Sequence, residues 1–117
     1  MNNELQKTLD WFKQAVPEPT PEIACVQIGC HLEEVSEMAE AFGDFDLQHE
    51  VSRVADEYKK VVDFIPDEIV DRLALADSLA DQIVTAIGVA YMYGIDIEGA
   101  LAEVNRSNFS KFEDGKP

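Results

Sequence analysis

Asp77 and Asp81 stand four residues apart in a segment, Leu73 to Tyr93, that is otherwise almost uncharged. A helix apolar around most of its circumference normally lies in a core. Two carboxylates on one face of such a helix would lose their hydration, which is costly unless something pairs with them. A metal ion, a cationic partner or a proton is therefore expected there. A second acidic group, Glu33, Glu34 and Glu37, could share the same ion. Glu34 and Glu37 are i, i+3 and project from one side of a helix, as Asp77 and Asp81 do from theirs. Antiparallel neighbours in a bundle would bring the two pairs face to face, a recurrent way to hold divalent cations. Ligands of oxygen alone, with at most His31 nearby, favour magnesium, with manganese as a substitute, over zinc. His31 itself is expected as a core or outer histidine and not as a ligand. The competing reading of the glutamates is a solvated acidic face, common in a chain this acidic.

Composition narrows the classes of function. The 117 residues make one domain, with a core but no room for two. Aspartate and glutamate number 24 against 9 lysines and arginines, a formal net charge of -15. Such a surface repels nucleic-acid backbones and anionic membranes, so neither a nucleic-acid polymer nor a membrane is an expected partner. The apolar fraction of 46% is too high for a disordered acidic tail. Cys25 and Cys30 have neither a redox nor a zinc spacing and are expected as buried thiols on one helix. The amino terminus has no basic-then-apolar signal region, so the expected location is cytoplasmic. The apolar run from Ile83 to Ile95 falls short of the roughly 20 residues that span a bilayer.

The elements that must position these acids are helical throughout, and the fold class is an all-α bundle of four to five helices. The first helix is expected from about Asn3 to Ala15. After the break at Pro17 to Pro21, Thr20 caps a second helix reaching about Phe42. Gly43 ends it, and Asp44 or Asp46 caps a third helix running to about Phe64. Pro66 opens the fourth, with Asp67 and Glu68 in its first turn, and Gly94 stops it after Tyr93. Asp96 caps a short fifth helix to about Arg106, and Ser107 to Pro117 reads as a partly extended tail. The second half of the fourth helix, Ile83 to Tyr93, has no charged face for water. It is either a central core helix or, the reading favoured here, half its circumference packs against the same helix of another subunit, in an obligate oligomer.

Three stretches together resemble the MazG-like all-α NTP pyrophosphatases. His31-Leu-Glu-Glu-Val-Ser-Glu-Met-Ala-Glu40 is similar to that family's EExxE helix. Asp77-Ser-Leu-Ala-Asp-Gln-Ile-Val-Thr-Ala-Ile-Gly88 resembles its second acidic helix. Tyr93-Gly-Ile-Asp96, Glu103 to Lys111 and Asp114-Gly-Lys-Pro117 resemble its carboxy-terminal substrate segment. The resemblance covers residues 31 to 117, and the first thirty add a compatible helix. It implies magnesium-dependent hydrolysis of a nucleoside triphosphate to the monophosphate and pyrophosphate, in nucleotide-pool control. It also implies that Glu34, Glu37 and Asp81 ligate metal and that Asn108 and Lys111 meet substrate. A homotetramer is typical of the small single-domain members, and a homodimer would suffice.

The residues themselves fit that chemistry. Metal ions would offset triphosphate charge, and Glu33, beside a metal-facing glutamate, could orient or deprotonate the attacking water. Lys111 suits a phosphate oxygen as a point charge, and Asn108 can hydrogen-bond phosphate or base. Arg106 has no comparable support. Trp11 and Phe12 could offer the base a stacking face, although aromatics at this spacing also serve as core. Two departures from the family pattern stand out. The second motif, ExxD, calls for a glutamate where Ser78 stands, and Asp77 would take its role. The stretch between Glu37 and Asp77 is also longer than the family's common spacing and holds a whole charged helix. Two rival readings remain: a phosphoribosyl-ATP pyrophosphatase, and a non-catalytic acidic bundle whose Asp77 and Asp81 pair with Arg72, Arg53 or a basic partner protein.

Overall fold

Side-chain caps set the starts of four helices in the described residues, and left-handed glycines set the ends of two. The computed structural model describes residues 3–60 and 65–112, and among them there are five α-helices, one 3-10 turn and no strand. The helices are α1 (Asn3–Ala15), α2 (Pro21–Ala41), α3 (Phe45–Lys59), α4 (Arg72–Met92) and α5 (Ile97–Ser110). The first four amide groups of a helix lack intrahelical partners, and a short polar side chain at the N-cap supplies one. Thr20 does this for α2 by accepting from the Ile23 amide at 3.2 Å. Asp44, Asp71 and Asp96 accept from Leu47, Ala74 and Gly99 in the same way, each at 3.0 Å. At the other ends, Gly43 and Gly94 take φ of 89° and 67°. Each lets the next amide, of Asp44 or Ile95, reach back to the carbonyl of Ala39 or Ala90 at 2.9 Å. This six-to-one closure is favoured by glycine because a Cβ resists positive φ.

The all-helical class and the limits of α1 and α2 agree with the sequence reading to within a residue. The fourth helix does not start at Pro66. Asp67–Ile69 forms a separate 3-10 turn, Val70 is extended, and α4 begins at Arg72 because Asp71 caps it. The fifth helix runs four residues past Arg106, to Ser110, so the first part of the expected tail is helical. Contacts of Phe109 and Phe112 explain the extension, as described below. The expected end of the third helix near Phe64 and the motif Asp114 to Pro117 lie outside the described residues.

The chain divides into two compact units, Met1–Glu18 with Asp71–Pro117, and Pro19–Val70. The second unit is an antiparallel helical hairpin. The Cys25 thiol reaches the Tyr58 carbonyl at 3.5 Å, and Gly29 lies against Ala55 and Lys59. Its buried residues are small: Cys25, Gly29, Ser36 and Ala39 on α2 and Ala55 on α3. Small side chains at the seam let the two backbones approach closely. In the first unit α1 and α5 run side by side in the same direction. Asn105, buried on α5, donates to the Glu4 carbonyl and carboxylate, 3.0 Å each, and its Oδ1 accepts from the Thr8 hydroxyl at 3.0 Å. Further along, the Trp11 ring meets Phe12 edge-on at 5.0 Å and Phe112 at 5.8 Å, and Phe112 meets Phe109 at 5.8 Å. This aromatic cluster holds the last turn of α5 helical despite Ser107 and Asn108, residues of modest helix propensity.

Candidate metal centre

Glu33, Glu34 and Glu37 converge on α2. One carboxylate oxygen from each lies within 4.8 Å of those of the other two. The cause is local: Glu37 is four residues from Glu33 and three from Glu34, so it neighbours both across one helical turn, and the hairpin partner α3 borders the group. Glu33 is half-buried, while Glu34 and Glu37 are exposed. Ionised carboxylates only accept hydrogen bonds, so three together repel unless a cation or proton intervenes. Burial, followed by the Glu37 and Glu33 charges, pushes the Glu34 carboxyl above its ordinary value of 4.5. Lys59, from the last turn of α3, forms an ion pair with Glu33. That hydrogen bond raises the Lys59 ammonium above its ordinary value. A set of hard oxygen donors with unmet negative charge fits magnesium or manganese and offers nothing to a thiophilic metal.

Asp77 and Asp81 belong to α4, in the other unit. Both are exposed, and Ala90 is the one buried residue among the 21 of α4. The burial expected of these aspartates is therefore not present within the chain itself, because the apolar residues around them are exposed too. Leu75, Leu79, Ile83 and Ile87 are between 44% and 51% exposed. The i, i+4 spacing survives, and both positions lie well inside the helix. Ser78, where the family pattern calls for glutamate, accepts from Gln82 at 3.2 Å. Counted from Arg72, α4 is long and apolar enough to cross a membrane by length and composition. Its two aspartates argue the other way, since a carboxylate at a bilayer centre costs about 2.5–3.5 kcal/mol.

The expected substrate residues gather at one end of the first unit. Asn108 is half-buried on α5, and Lys111 is exposed at its C-cap. Trp11 is half-buried in the aromatic cluster, and its Nε1 has no hydrogen-bond partner among the described residues. Arg106 pairs with Glu103 on the exposed face of α5, with Nε to Oε2 at 3.0 Å, as suits a surface residue. Arg53, a candidate partner for the aspartates, pairs along α3 with Glu57 at 2.9 Å and Glu50 at 3.4 Å. His31 is exposed, not a core histidine. Cys25 is buried and Cys30 half-buried, and neither forms a disulfide among the described residues.

Sequence reasoning missed Lys59 and Asn105. A hairpin turning at Gly43 sets Gly29 against residues near position 57, so the register carried a signal for Lys59. Asn105 gave only the weak signal of a polar residue among Leu101, Ala102 and Phe109. Compared with models of protein families, with curated proteins and with solved structures, the chain matches none.

Proposed function

We propose that this protein is a magnesium-dependent nucleoside triphosphate pyrophosphohydrolase of the MazG-like kind, with manganese as a substitute ion. The observation that carries the reading is the convergence of Glu33, Glu34 and Glu37 within 4.8 Å, at the positions of the EExxE pattern. The ordered set of three motifs adds to it, as does the raised Glu34 carboxyl, which desolvation and then the neighbouring Glu37 and Glu33 charges produce beside that geometry. Under this reading Glu34 and Glu37 hold the metal, and the resemblance also assigns metal ligation to Asp81, with Asp77 in place of the glutamate missing at Ser78. A divalent ion bound there would offset triphosphate charge and polarise the α-phosphoryl group. Glu33 orients the attacking water and accepts its proton. Lys111 and Asn108 bind phosphate oxygens, and Trp11 lends the base an aromatic edge.

The proposal includes self-association, as a homodimer or homotetramer. Its support is the amount of apolar side chain that α4 leaves exposed, including Leu73 at 84%, Val84 at 65% and Met92 at 77%. Contiguous exposed apolar faces of this kind mark interaction surfaces. A cytoplasmic location follows the same reading.

The test is release of monophosphate and pyrophosphate from a panel of NTPs and dNTPs, with magnesium and with EDTA. Magnesium-dependent release is expected. Glu34→Gln, Glu37→Gln and Asp81→Asn should each cost more than the about 10–100-fold that changes behind a metal ligand cost. Release from phosphoribosyl-ATP alone would favour the related pyrophosphatase. No release from any substrate, with no stabilisation by magnesium, would leave the acidic bundle that binds a basic protein.

A further inference from the structure

Lys59 brings a held ammonium to the carboxylate cluster, and the way it is held is unusual for a surface lysine. Its stem crosses α2 directly over Gly29. A Cβ added at Gly29 would come within 2.5 Å of Lys59 Cγ, 2.9 Å of the Ala55 carbonyl oxygen and 3.0 Å of the Lys59 amide nitrogen. No other residue type leaves that space. Glu33 lies one turn beyond Gly29 on the same side of α2, so the stem that crosses the glycine ends at the Glu33 carboxylate. Lysine has much rotamer freedom to lose, and packing the stem on a helix seam before the ion pair forms limits that cost. The ammonium is thereby directed to one member of a group whose three oxygens lie within 4.8 Å of each other.

We infer that Lys59 is a built-in counter-cation of the centre: it holds Glu33 away from the metal and competes electrostatically with the incoming ion, setting divalent-cation affinity. The inference rests on reading the three glutamates as a metal centre. It assigns metal ligation to Glu34 and Glu37 and leaves Glu33, paired with Lys59, beside them. Lys59 is a positioning residue and touches no substrate. Without a neutralising group at Glu33 the cluster would attract cations more strongly, and Lys59 trades some of that attraction for a fixed arrangement before metal arrives.

The experiment is a titration of the full chain with Mn2+ alone, following free Mn2+ by electron paramagnetic resonance and without nucleotide. Lys59→Met keeps a stem over Gly29 and removes the charge. The Mn2+ dissociation constant should fall about three- to tenfold, because one partly exposed charge acts here on a divalent ion. Lys59→Gln, with a different neutral side chain, should move it in the same direction, and Lys59→Arg should leave it within about twofold. Binding by wild type that is unchanged or weakened in both neutral variants would overturn the inference and leave the metal centre standing. No Mn2+ binding by wild type or variants would overturn both.

Discussion

At Glu34 the raised carboxyl gives a pH dependence whose sign follows from linkage. A carboxyl whose folded value lies above 4.5 holds its proton more tightly in the native state than in the unfolded chain. The metal-free protein is then favoured below pH 4.5 and loses that part of its stability as pH rises through the folded value. In EDTA, Glu34→Gln should raise the melting temperature at pH 7, and the gain should vanish below pH 4.5. Magnesium should reverse the effect in wild type and release protons on binding, which calorimetry in two buffers would detect. Glu4 behaves oppositely. Its hydrogen bond from Asn105, and then its pairing with Lys7, hold it below 4.5. That contribution is present above pH 4.5 and disappears as pH falls through the folded value. Asn105→Ala strips the Glu4 and Thr8 partners from a buried position and should cost about 1–3 kcal/mol in urea unfolding at pH 7. The loss should shrink as pH falls through the folded value of Glu4, below which the carboxyl is protonated in both states.

Among the elements, the α2–α3 hairpin is the one whose geometry decides the site. Its seam is built from glycine, alanine and serine, and its separation is fixed by contact at Gly29. Gly29→Ala places a methyl where Ala55 and Lys59 already stand and should destabilise the protein by about 1–3 kcal/mol. It should also displace Lys59 from Glu33, so Mn2+ affinity and stability should change together in this variant, whereas Lys59→Met should change affinity with little loss of stability. The α4 start carries a different lesson. Pro66, Asp67 and Glu68 have the types of a helix opening, yet the chain spends them on a short 3-10 turn. Asp71, four residues on, is the cap that the helix uses, and its signal was indistinguishable by type from the acids before it.

For the molecule as a whole, the exposed residues of α4 bear on assembly. A helix with one buried residue among 21 has most of its apolar surface in water within a single chain. Burial of apolar area is the main drive for association, at about 25 cal/mol per Å². The proposed oligomer should elute as a dimer or tetramer by size exclusion with light scattering. Ile87→Glu, at a half-exposed position of α4, should shift it to monomer and lower its melting temperature. A wild-type monomer across a hundredfold concentration range would refute self-association while leaving the glutamate cluster untouched, since that cluster is formed within one hairpin.

Much of this architecture was legible in the order of residues. Thr20-Pro21, Asp44, Gly43, Gly94 and Asp96 mark ends because caps and left-handed turns depend on a few neighbouring atoms. The cluster was legible for the same reason, since Glu34 and Glu37 are i, i+3 on one side of a helix and Glu33 is adjacent in sequence. What lay beyond local spacing needed tertiary structure. The last turn of α5 is held by Trp11, nearly a hundred residues away in the chain, and helix propensity does not register such a contact. Whether Asp77 and Asp81 lose water depends on what packs on α4, and the apolar pattern around them specifies only that something can. The ion pair of Lys59 with Glu33 needs a helix crossing close enough for a lysine stem to lie on a glycine. That distance is fixed when two helices meet, and no run of residues within either one contains it.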